Sequence, residues 1–269
     1  MHIIDSHVHI IDPAKFPYAP DAWYHPIGAE MGTAENLHQV LDAHGISKAL
    51  LVGPNSGYNL DNRCMLDAIK HSAGRFKGVA VVRNDTSFNE LQDLQAQGVI
   101  GVAMNVALLG VDFYSDIAPL LQRLRDLDMY AQMQVQYDQL LPIRVMLVDS
   151  GVKLLFDHCG RPDPTKGIDQ AGFAALLKLA ENGRTCVKLS SLSKCSSQQH
   201  PYTDAWKFVH ALIDAYTPQN LVWASDWPFL RAPARIDYGP IVSLFEQLIP
   251  NAEDRHTIQW ETPKRFFGF

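Results

Sequence analysis

Short, nearly continuous apolar runs alternate with longer segments of helical period along the whole chain. The runs His2–Ile10, Lys48–Gly53, Phe76–Arg83, Val99–Val106, Met129–Gln136, Val152–His158, Thr185–Ser190 and Leu221–Asp226 predict strands. Their lack of apolar/polar alternation suits parallel strands covered on both faces. Between them, Ala34–Ala43, Tyr114–Leu127, Leu140–Asp149, Phe173–Ala180, Thr203–Ala215 and Ile236–Leu248 read as amphipathic helices. Ile117, Leu120, Leu121 and Leu124 show the i, i+3, i+4, i+7 stripe most plainly. Gly45, Gly98, Gly151 and Gly183 each stand ahead of a strand, where a helix-ending glycine belongs. Eight strands alternating with helices predict an α/β chain closed as a (β/α)8 TIM barrel, one domain over residues 1–269. An open doubly wound sheet would favour a G-x-G-x-x-G turn after the first strand. The chain has HVHIIDPAKFPYAP there, with no such turn.

Composition narrows the partners. Hydrophobic residues make up 47% and charged residues 19%, an ordinary globular balance. The net charge of −6 gives no basic footprint, so neither nucleic acid nor a membrane surface is an expected partner. No apolar run approaches the roughly 20 residues of a membrane helix. Cys64, Cys159, Cys186 and Cys195 form no C-x-x-C pair, and the opening MHIIDSHVHI does not read as a secretory leader. Reduced thiols and a cytoplasmic location are the expectation.

Three strand ends carry candidate chemistry. In D-S-H-V-H, His7 and His9 share one strand face, at the end where barrel active sites lie. His158 ends the sixth strand; Asp157 before it is expected to point outward as a structural partner, and Arg161 follows in the loop. Asp226 ends the eighth strand, which neighbours the first in a closed barrel. A carboxylate beside imidazoles can serve as a general base toward water or as a metal ligand.

With these residues in place, the chain resembles the amidohydrolase superfamily. H-V-H at strand one, D-H-C-G-R-P at strand six and S-D-W-P at strand eight carry the likeness. More narrowly, it resembles the branch that contains 2-pyrone-4,6-dicarboxylate lactonase. The loops FPYAPDAWYHP and GPNSGYNLDN and the ending ETPKRFFGF extend the similarity over most of the chain. The resemblance implies hydrolysis of a small lactone, with Asp226 activating water while His7, His9 and His158 polarise the carbonyl or orient the water. It also implies that no divalent ion is obligatory. If one zinc or manganese binds, its ligands would be His7, His9, Asp226 and His158.

The departures from that branch fall where substrate is read. Strand four, VIGVAMNV, offers neither the lysine nor the glutamate of the two-metal members, so a binuclear centre is not expected, and strand five, MYAQMQVQ, lacks the histidine used by some one-metal members. Ala103 stands where the branch has an arginine, SSLSKCS where it has Tyr-Arg, and Phe229 where it has histidine. The expected substrate is therefore a different small acidic or sugar-derived lactone. Expected contacts are Tyr24, Ser56, Arg83, Asn105, Gln134 and Arg161, with Lys194, Arg231 and Tyr58 as further candidates. A guanidinium grips a carboxylate in bidentate fashion, which ranks the arginines first. A metal-dependent decarboxylase, a lactone isomerase and a barrel that binds without turnover are the alternatives.

Overall fold

The computed structural model describes residues 2–269. Eight parallel strands, β1 (Ile4–Val8), β2 (Lys48–Val52), β3 (Phe76–Ala80), β4 (Val99–Asn105), β5 (Tyr130–Gln134), β6 (Lys153–Phe156), β7 (Thr185–Leu189) and β8 (Leu221–Trp223), pair in chain order. The strand expectations hold, each trimmed by a few residues at its ends. Helices cover the outside: α1 (Ala34–Ala43), α2 (Arg63–Lys70), α3 (Phe88–Ala96), α4 (Val106–Leu109), α5 (Ala118–Asp126), α6 (Leu140–Ser150), α7 (Ala171–Lys178), α8 (Trp206–Tyr216), α9 (Tyr238–Leu248), α10 (Ala252–His256) and α11 (Thr262–Phe267). Among the described residues no helix is long and apolar enough to cross a membrane. Gly151 and Gly183 sit left-handed, φ +68° and +65°, and stop α6 and the short turn after α7 without the penalty a side chain would carry.

Helices α2 and α3 are absent from the pattern reading. In α3 Leu91 is fully buried and Leu94 partly, while Phe88 is exposed, so the apolar stripe is too thin to stand out. A capping box compensates: the Ser87 hydroxyl accepts from Glu90 N while Glu90 accepts from Ser87 N.

The barrel closes with one seam. Strands β1 and β8 are not paired along their length; a single parallel bridge joins Val8 to Trp227, with His9 N donating to Trp227 O (2.8 Å) and Asp226 N to His7 O (2.9 Å). Lower down the seam, the Asp5 carboxylate substitutes for the missing ladder. It accepts from Ser225 N (3.0 Å), His7 N (3.2 Å) and the Tyr238 hydroxyl of α9 (2.7 Å). The register of β1 against β2 shifts between Asp5 and Val8. This bulge lets Asp5 reach the helical layer while His7 and His9 face the barrel axis.

Inside, the side chains stack in layers. Leu50, Val79, Tyr130, Leu155, Cys186 and Val222 form an apolar layer, plugged from below by Phe267 of α11. Two residues further along the same strands come Gln132, Asp157 and Lys188, all buried. A polar layer thus rests on an apolar one, directly beneath the mouth.

Candidate active site

At the C-terminal ends of the strands lies a cavity of about 390 Å³. His7, His9, His158 and Asp226 line it together, as do Arg161, Lys194, Arg231, Ser56, Asn105 and Gln134. Asp226 Oδ1 is 3.6 Å from His7 Nε2, 3.6 Å from His9 Nε2 and 3.9 Å from His158 Nε2. The other carboxylate oxygen, Oδ2, accepts from Lys194 Nζ (2.7 Å) and from the Ser191 hydroxyl.

Each imidazole is oriented through Nδ1. His9 Nδ1 donates to the Val52 carbonyl (2.7 Å), so its Nε2 carries the lone pair. His158 Nδ1 meets the Ser190 hydroxyl (2.9 Å), and His7 Nδ1 faces Asp157 Oδ1 (3.2 Å) and Lys188 Nζ (3.0 Å). Sharp left-handed turns at the strand ends aim the chemistry. His158 (φ +52°), Arg161 (+47°) and Asp226 (+67°) all have positive φ, a conformation that costs non-glycine residues on the order of 1–3 kcal/mol each.

Electrostatics separates the acid from the imidazoles. Burial pushes the Asp226 carboxyl up, but the Lys194 ammonium and the three histidines outweigh it and hold the group well below the usual range. Burial, reinforced by Lys188, lowers His7 to about 4 against the pull of Asp157. His158 is likewise held far down by burial, with Asp226 opposing. At neutral pH the site therefore sets an ionised carboxylate against the neutral imidazoles of His7 and His158.

Several expectations need correction. Asp157 does not point outward. Strand β6 sets Leu155 toward the axis, so Asp157 two residues on shares that direction, and the turn at His158 brings the next side chain to the mouth as well. Asp157 is 2% exposed and accepts from Lys188 Nζ (3.0 Å) and Gln132 Nε2 (3.0 Å). Arg83 lies outside the cavity lining, paired with Asp85 (2.8 Å) on the exposed surface. Tyr24 also falls outside the lining; its hydroxyl is bound by Glu30, and its neighbour Trp23 lines the cavity instead, beneath the Arg231 guanidinium (4.5 Å). Tyr58 is packed away, its hydroxyl accepting from Asp12 N. Lys194, expected as a further candidate for substrate contact, is the direct partner of Asp226 (2.7 Å). Lys188 was missed altogether, although a lone lysine in the apolar run TCVKL was its signal.

A family model for amidohydrolases matches residues 4–269. The chain belongs to the amidohydrolase family. This amidohydrolase is 30% identical to the 4-sulfomuconolactone hydrolase of Rhizobium radiobacter, over 98% of its own chain and 89% of the relative. It is 28% identical to a 2-pyrone-4,6-dicarboxylate hydrolase of Comamonas testosteroni, over 98% and 89% of the two chains. Among solved structures, a probable 2-pyrone-4,6-dicarboxylic acid hydrolase of Acinetobacter baumannii with citric acid bound superimposes with a TM-score of 0.90, at 27% identity and over 100% of both chains. This amidohydrolase is thus a hydrolase.

Proposed function

We propose that this amidohydrolase opens a small lactone bearing a carboxylate. The observation that carries the reading is the convergence of three imidazoles on one ionised carboxylate, Asp226, at the floor of a cavity lined by Arg161, Lys194 and Arg231. A water held at Asp226 Oδ1 loses a proton to that oxygen as it attacks the lactone carbonyl. The ring C–O bond then breaks, the departing oxygen takes up a proton, and the product is an open-chain acid. Imidazole N–H groups and the Arg161 guanidinium stabilise the negative charge that develops on the carbonyl oxygen.

The wall chemistry supports an anionic substrate. Arg161 Nε is buried with no hydrogen-bond partner, a donor that a substrate carboxylate would satisfy. Across the cavity, Asn105 and Gln134 offer both donors and acceptors, which suits ring hydroxyls. The relatives named above are described as acting on carboxylated or sulfonated lactones, which fits this reading. A panel of sugar-acid lactones, muconolactones and pyrone carboxylates, followed by acid release, tests it. Turnover confined to lactones with an acidic group is expected; turnover only of neutral lactones would contradict it.

A second reading is favoured by the same convergence. His7, His9 and Asp226 place donor atoms close enough for one metal ion, and two imidazoles with a carboxylate are a zinc-like donor set; His158 Nε2 stands 3.9 Å from Asp226 beside it. The contact of His9 Nδ1 with the Val52 carbonyl also fits such a site. A divalent ion there would polarise the carbonyl or acidify water. Lys194 and Arg161 already bring positive charge to the reaction centre, so the proposal holds the ion dispensable. Turnover is expected to survive exhaustive chelation; turnover that tracks bound metal one-for-one would reverse that.

A further inference from the structure

Beneath the mouth, Lys188 is fully buried inside the barrel. Its ammonium has three N–H donors, and three groups surround it: Gln132 Oε1 at 2.7 Å, Asp157 Oδ1 at 3.0 Å and His7 Nδ1 at 3.0 Å. Gln132 Nε2 also donates to Asp157 Oδ2 (3.0 Å), which fixes the orientation of the amide and leaves its oxygen facing Lys188.

The proton count follows. If His7 carried its proton on Nδ1, the third N–H of Lys188 would meet another N–H at 3.0 Å. A buried donor would go unmatched beside a repelling one, and unmatched buried donors are costly. With the proton on Nε2, every donor in the cluster finds an acceptor. His7 Nε2–H then points at the bare Nε2 of His9, 3.2 Å away, and at Asp226 Oδ1. Only in that tautomer are all three Lys188 donors matched, although the bare Nδ1 then lies 3.2 Å from Asp157 Oδ1, both bridged by the Lys188 ammonium.

We infer that Lys188 is a positioning residue that locks His7 as the Nε2–H tautomer, making its mouth-facing nitrogen a hydrogen-bond donor and a poor metal ligand. Moving the proton between the two ring nitrogens changes no net charge. With Lys188 gone, Asp157 Oδ1, 3.2 Å from Nδ1, becomes the natural acceptor and draws the proton to the inner nitrogen. Nε2 is then bare and free to bind a cation. The inference takes from the proposed function only that His7 faces the reacting groups.

The test reads proton position rather than turnover, so its failure leaves the lactonase reading standing. Long-range ¹H–¹⁵N spectra of histidine-labelled protein distinguish the tautomers, and the His7→Gln variant assigns the His7 signals. In the wild type His7 is expected protonated at Nε2 alone; in Lys188→Met, Nδ1 gains a proton. Zinc affinity, read by competition with a chromophoric chelator, is expected to rise roughly ten- to a hundredfold in Lys188→Met, the range for changes behind a ligand. A wild-type His7 protonated at Nδ1 overturns the inference, as does an Nδ1 that stays bare, or zinc affinity that stays unchanged, in a folded Lys188→Met. If that variant does not fold, the wild-type spectrum alone decides.

Discussion

Asp226 keeps its charge only because of its neighbours. Burial opposes ionisation, and Lys194 is the largest single influence in its favour. Lys194→Met removes that influence, so the carboxyl titrates at higher pH, and the acid limb of the pH–rate profile should move upward relative to wild type. An unmoved limb would show that Asp226 does not control it. Arg161 makes a different prediction. Its partnerless Nε suits an anion, so Arg161→Met should weaken binding or turnover of an acidic lactone by on the order of 2–5 kcal/mol, the cost of truncating one partner of a buried charge pair. Steady-state kinetics unchanged in both kcat and KM would remove Arg161 from the site. Strand-end histidines and Asp226 were legible in the sequence because period-two alternation and strand order bring them together. Arg83 and Tyr24 were misplaced because loop side chains follow local partners, Asp85 and Glu30, that alternation does not reveal.

The strands and six of the eleven helices among the described residues followed from the apolar pattern, but the seam did not. D-S-H-V-H reads as a plain strand, and nothing in it announces a bulge that turns Asp5 away from His7. That bulge makes Asp5 a joint between β1, the end of β8 and α9, and it fixes the backbone from which both His7 and Asp226 project. Asp5→Ala would leave the Ser225 and His7 amides and the Tyr238 hydroxyl without their buried acceptor. Each such loss costs about 1–3 kcal/mol, so urea unfolding should show a drop of at least that size. A variant as stable as wild type would mean that water replaces the carboxylate. Asp157 was misread for a related reason: the expectation assigned opposite faces to neighbours in an unbroken strand, whereas β6 ends at Phe156 and the chain turns at His158.

Burying His7 and His158 as neutral imidazoles makes the stability of the barrel depend on pH. His7 titrates near 4 in the folded protein and at 6.5 when exposed, so between those values the unfolded chain binds a proton that the folded one refuses. Stability therefore rises with pH across this window and falls on acidification, by about 3 kcal/mol at pH 4 for His7 alone. His158 acts in the same direction. Below the ordinary carboxylate range the depressed Asp157 and Asp226 add a further loss as they protonate. Urea titrations from pH 7.5 to 4.5 should show this slope, flattened in His7→Gln; a flat wild-type profile would contradict the buried neutral imidazole.

The central claim is that Asp226 takes the proton from the attacking water, and Asp226→Asn tests it most directly. The amide keeps the shape and can still accept from Lys194 and Ser191, yet it cannot take up that proton. With the first acidic lactone found to turn over, kcat measured at saturating substrate on folded variant should fall at least about a hundredfold. Turnover within a few-fold of wild type would contradict the account.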